Sequence, residues 1–154
     1  MTLLYSEPCF LNHETGEHPE RAERIRDIPE RLEESGLQQK CRRVEFEPVS
    51  RARLARVHSP GYIDEIWAVS KSGGDHIEAD TIVGPSSYSV ALMAAGTVCD
   101  ATERLVRGED RHALCLVRPP GHHALSGRAM GFCLFNNVAI GAAKALDAGL
   151  ERIA

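Results

Sequence analysis

The strongest hydrophobic pattern in the chain runs from Ser86 to Arg107, where apolar residues recur at helical spacing and Ala91, Ala94 and Ala95 share one face. That pattern predicts a long helix with a small-residue stripe suited to close packing. A second helical pattern follows the polar pair at Asn136 and runs to about Ala148, where Gly149 stops it. Two shorter helices are predicted at SRARLARVH and SPGYIDEIWAVSKSG, opened by Ser50 and Ser59 and closed at the Gly73-Gly74 pair. Pro19 suits the first position of a helix over ERAERIRDI, with Glu20 and Arg24 at ion-pair spacing. Pro29 predicts a kink or restart before Gly36. Short apolar runs at Thr2–Ser6, Cys41–Phe46 and His112–Val117 predict strands. The last of these lacks alternation, as a strand buried on both faces does. DHIEADTIVGP reads as a loop.

Strands alternating with helices predict an α/β class, a three-layer α/β/α arrangement around a mainly parallel sheet. No repeat or linker divides the chain, so residues 1–154 form one unit. After Gly149, the residues Arg152-Ile153-Ala154 read as the start of another strand. Three or four strands leave a sheet edge open, so the expectation is the N-terminal portion of a larger domain.

Composition narrows the function classes. A net charge of −4 provides no basic field for nucleic acid or an anionic membrane. No apolar run reaches the length of a membrane span, and the N-terminus lacks the pattern of a secretory signal. Five scattered cysteines without a CxxC pair argue against a disulfide framework or a thiolate zinc knuckle. A reducing, cytoplasmic location is expected.

Candidate chemistry concentrates in RPPGHHA at 118–124 and GFC at 131–133. Pro119 and Pro120 forbid continuation of a central strand, and Pro120-Gly121 suits the middle of a type II turn. His122 and His123 then emerge at the carboxyl end of a parallel strand, where open α/β sheets bind ligands. Two adjacent imidazoles can divide labour, one neutral as base and one charged as acid. The alternative is a pair of loop histidines that only hydrogen-bond locally. Gly131 permits close backbone approach to a ligand and Phe132 offers a wall for a slot, although a core phenylalanine beside a turn glycine reads equally well. Cys133 suggests a thiol nucleophile working with a histidine. Its apolar neighbours Phe132, Leu134 and Phe135 favour a buried, unreactive thiol.

These motifs, with HPERAERI at 18–25, VHSPGYI at 57–63 and ADT at 79–81, resemble the zinc-dependent deacetylases. That family comprises histone deacetylases, acetylpolyamine amidohydrolases and acetoin-utilisation proteins, on the arginase–deacetylase fold. The likeness spans essentially the whole chain and is nearest to the class II and bacterial branch. The resemblance implies that His122 and His123 are the tandem acid–base pair and that Gly131 and Phe132 line the acyl-amine channel. It implies that Asp80 is the rim aspartate and that Arg21 lies in an internal channel, although a helix-face ion pair would equally occupy Arg21. His13 and His18 read as loop-structuring residues. The resemblance also implies a Zn2+ cofactor in the complete protein, with all its ligands beyond Ala154 and none in this chain. It implies acetylated lysine or an acetylated small amine as substrate, and the open sheet edge suggests self-association or pairing with a C-terminal half. The chain alone is then expected to be inactive. The rival readings are a partner-binding half-domain and a Cys133–His thiol hydrolase.

Overall fold

The computed structural model describes residues 1–153. Its centre is a parallel sheet in the order β2–β1–β5, formed by β1 (Thr2–Ser6), β2 (Cys41–Arg43) and β5 (Ala113–Leu116). β1 is the middle strand, and Leu3, Leu4 and Tyr5 are all buried. Their side chains alternate between the two sheet faces. Leu3 and Tyr5 pack with Ala113, Cys115 and the Ala101–Leu105 turn of α4 (Ser87–Val106). Leu4 packs with Leu114, Leu116 and the Ile25 and Leu32 side chains of α1 (Glu23–Glu34). Helices therefore cover both faces, as the three-layer expectation requires.

The second core lies away from the sheet. There α3 (Pro60–Lys71) brings Tyr62, Ile63 and Ile66 against Ala91 and Ala95 of α4, Phe135, and Ile140 of α5 (Asn137–Asp147). Ser50, Ser59 and Asn136 cap their helices as expected, each accepting a backbone N–H with its side chain. α2 is shorter than expected, spanning only Arg51–Leu54.

Other segments also differ from the sequence expectation. The segment 75–83, read as a loop, forms an antiparallel hairpin of β3 (Asp75–Glu78) and β4 (Thr81–Val83), with an irregular register between His76 and Glu78. Its strands are too short to show alternation. α1 begins at Glu23 rather than Pro19 and continues through Pro29, because buried Ile25 and the packed Leu32 hold both sides of the proline against the core. β2 ends at Arg43, although Val44 still donates its N–H to Leu4 O at 3.1 Å. Arg152 and Ile153 carry no regular structure, and Ala154, where the expected further strand continues, lies outside the described residues. Among the described residues, no helix is long and apolar enough to cross a membrane.

Candidate active site

β1 and β5 are parallel neighbours, so the segments leaving their carboxyl ends meet. Arg118, just after β5, turns inward and its side chain is almost fully buried. Its Nε donates to Glu20 Oε1 at 2.6 Å and one terminal nitrogen to Glu20 Oε2 at 2.9 Å. Two further N–H groups reach Phe10 O at 3.1 Å and His13 O at 2.8 Å. Glu20 is equally buried, and a bidentate pair with further carbonyl acceptors is the geometry that offsets the desolvation of two charges.

His13 completes this network. Its Nδ1 lies 2.7 Å from Ser87 Oγ and its Nε2 lies 3.6 Å from Glu20 Oε2. The Glu20 carboxylate can only accept, which assigns the imidazole proton to Nε2 and leaves Nδ1 to accept from the Ser87 hydroxyl, whose oxygen also accepts the Gly84 N–H. Burial, reinforced by Arg118 and opposed by Glu20, pushes the His13 pKa down to about 4. The ring is therefore neutral at neutral pH, a structural member of the buried cluster.

Beyond the prolines the chain turns outward. The turn runs from Gly121 to Ala124, closed by Ala124 N donating to Gly121 O at 3.1 Å, and places His122 and His123 at its two corners. The type II turn expected at Pro120-Gly121 does not form, since Gly121 does not adopt positive φ. Glycine is required there for space: a Cβ would lie 2.4 Å from Asn137 N and 2.5 Å from Phe135 O. Both histidines are exposed, and their rings lie 4.3 Å apart, tilted by 51°.

The GFC segment forms the floor. Gly131 has φ +56°, and a Cβ on it would meet the His123 ring at 2.8 Å. The imidazole therefore rests on bare backbone. Phe132 follows with φ +69°, a conformation rare outside glycine. Its ring meets His18 edge-on at 4.7 Å. Cys133 is fully buried, its thiol donates to Gly131 O at 3.2 Å, and its sulfur receives the His123 N–H at 3.5 Å. Burial pushes the thiol pKa up, the opposite of what a nucleophile needs.

A cleft of about 330 Å³ opens over this floor, lined by Glu78, Ala79, Asp80, His123, Arg128, Met130 and Gly131. The hairpin missed in the sequence thus supplies one wall. Arg128 Nε donates to Glu78 Oε1 at 2.6 Å and ties the hairpin to the histidine loop. His123, Gly131 and Asp80 come together in this cleft, with His122 and Phe132 adjacent in the chain. Arg21 does not join them. Its side chain is 62% exposed and pairs loosely with Glu23 just before α1. Arg24, also largely exposed, lines a cavity with Arg118, Ile25 and the end of β5. Sequence spacing paired Glu20 with Arg24, yet that contact is 4.0 Å and Arg118 is the closer partner.

Residues in VHSPGYI hold the loop from behind. Tyr62 donates its hydroxyl to Leu134 O at 2.6 Å, His58 Nε2 accepts the Asn136 N–H at 2.9 Å, and Ser59 N reaches Ser126 O at 2.8 Å. His58 and Tyr62 also pack their rings on Phe135. Among the described residues, no set of three His, Cys, Asp or Glu side chains converges on a common point, so they do not fit a zinc ion on their own.

The histone deacetylase domain family matches residues 18–154. The chain is 40% identical over 149 residues to a histone deacetylase-like amidohydrolase of Pseudomonas aeruginosa, covering 96% of this chain and 38% of that protein. It is 39% identical over 162 residues to the polyamine deacetylase HDAC10 of Homo sapiens, covering 98% of this chain and 24% of that protein. The crystal structure of the HDA15 HD domain superposes with a TM-score of 0.89 at 31% identity, over 97% of this chain and 45% of that one. The chain therefore spans less than half the length of each of these relatives.

Proposed function

Because the chain belongs to the histone deacetylase family, we propose that residues 1–154 form the N-terminal, proton-transferring portion of a site that hydrolyses the acetyl amide of acetyl-lysine or an acetylated small amine. The supporting observation is the placement of His123 in the cleft on the Gly131 backbone, with the His122 ring tilted beside it. One imidazole takes the proton of the attacking water and the other returns a proton to the departing amine, each step contributing about 10²–10⁴-fold. Gly131 and Phe132 guide the acyl-amine stem, and Asp80 holds the substrate at the rim. The channel role read onto Arg21 passes to Arg24, which lines the cavity behind the strand ends together with Arg118. The zinc proposed for the full-length site takes its ligands from outside the described residues.

The chain alone is inactive in this proposal and meets the rest of its site in a C-terminal portion or a partner, in the cytoplasm. Acetate release tests it, from an acetyl-lysine peptide and from an acetylated polyamine. A full-length deacetylase domain carrying residues 1–154 is expected to release acetate from at least one of them and to stop when treated with a chelator. The isolated chain is expected to release none. Chelator-sensitive hydrolysis by the isolated chain would overturn the division of labour.

A further inference from the structure

The rim aspartate and the channel phenylalanine lie on different segments, 52 positions apart in sequence, yet one buried hydroxyl joins them. Thr81 is fully buried at the start of β4. Its Oγ1 donates to Asp80 Oδ1 at 3.0 Å and accepts the Phe132 N–H at 3.1 Å. A hydroxyl has one proton to give and lone pairs to receive with, so both bonds form at once. The Phe132 amide it receives belongs to a residue in a costly left-handed conformation, φ +69°, which persists only where neighbouring contacts hold it. His18 closes the same unit from outside. Its Nδ1 accepts the Glu20 N–H at 3.1 Å, so Nε2 carries the proton and donates to Asp80 O at 3.2 Å, while the ring edge meets Phe132.

We infer that Thr81 is a positioning residue that couples the Asp80 rim to the Phe132 wall, so that a substrate held at the rim is sensed by the channel. The inference rests on the channel roles proposed above for those two residues. A valine at position 81 keeps the shape and removes both bonds, whereas serine keeps the hydroxyl.

The test is amide hydrogen exchange by NMR on the 15N-labelled chain. Thr81→Val is expected to speed exchange of the Phe132 amide at least tenfold and leave the amides of Leu4 and Cys115 in the sheet unchanged. Thr81→Ser is expected to stay within about twofold of wild type at Phe132. These two fold-changes bracket what losing or keeping one buried hydrogen bond produces. Asp80 is exposed, so Asp80→Ala tests the coupling without touching the buried site, and it decides alone if Thr81→Val does not fold. It is expected to speed Phe132 exchange at least threefold, and to have no further effect in the Thr81→Val background. Unchanged Phe132 exchange in Asp80→Ala, or a Thr81→Ser variant as fast as Thr81→Val, overturns the inference. No hydrolysis is measured, so failure of the deacetylase reading would appear in acetate release and failure of the coupling in exchange.

Discussion

Arg118 and His122 are four residues apart on one loop and live in opposite environments. On the near side of the two prolines, Arg118 is 2% exposed and donates to Glu20, Phe10 and His13. On the far side, His122 and His123 are exposed, and among the described residues neither ring makes a hydrogen bond. The first region uses charge to fix the backbone. The second has ring nitrogens without hydrogen-bond partners among the described residues, with His123 lining a cleft, and contributes little to holding the fold. Buried charge here is scaffold, and the exposed imidazoles are where the proposed chemistry sits.

The comparison breaks most visibly at Arg118. Replacing it with methionine leaves the Glu20 carboxylate buried without its partner, a change that costs about 3–5 kcal/mol. Urea denaturation is expected to show that loss, and a change under about 1 kcal/mol would mean the pair is dispensable.

The next effect depends on pH. The His13 pKa is lowered from its ordinary 6.5 to about 4 in the fold, so between those values the unfolded chain binds more protons than the folded one. Stability is therefore complete above pH 6.5 and falls as the pH drops towards 4, by at most about 3 kcal/mol at 1.36 kcal/mol per pKa unit. Urea midpoints at pH 7.5 and 5 should separate for the wild type and converge for His13→Asn. An equal separation in the variant would remove His13 from the scaffold.

A smaller effect is expected at the boundary between the regions. Gly121→Ala pushes a methyl group into the Asn137 and Phe135 backbone, and overpacking of this kind costs about 1–3 kcal/mol. Thermal melts should show the loss, and a neutral result would mean that the loop is free to move away from α5.

How far these regions were legible in sequence follows the same division. α4 and α5 fall within a residue or two of their expected bounds, because helical periodicity and the Asn136 cap are local signals. The exposed histidine turn after β5 is readable from its motif, but the turn type is not. Gly121 is demanded by the distant amide of Asn137, and local chemistry alone suggested positive φ instead. The Arg118–Glu20 pair bridges 98 positions and leaves no local trace, so Glu20 was matched with Arg24 by spacing. Motif position points Arg21 to an internal channel, whereas α1 starts at Glu23 and leaves the Arg21 side chain exposed. The β3–β4 hairpin went unread because strands of four and three residues carry too few positions for a period.

The smallest stability effect belongs to the histidines themselves, and it carries the central claim. His122→Ala and His123→Ala are expected to move the urea midpoint by no more than about 0.5 kcal/mol, as exposed positions do. The most direct test sets that measurement beside acetate release by a full-length deacetylase domain carrying this chain. The account predicts unchanged stability with a rate loss of about 100-fold or more for each variant. Retained acetate release in either variant, or a rate loss that merely follows a fall in stability, would contradict it.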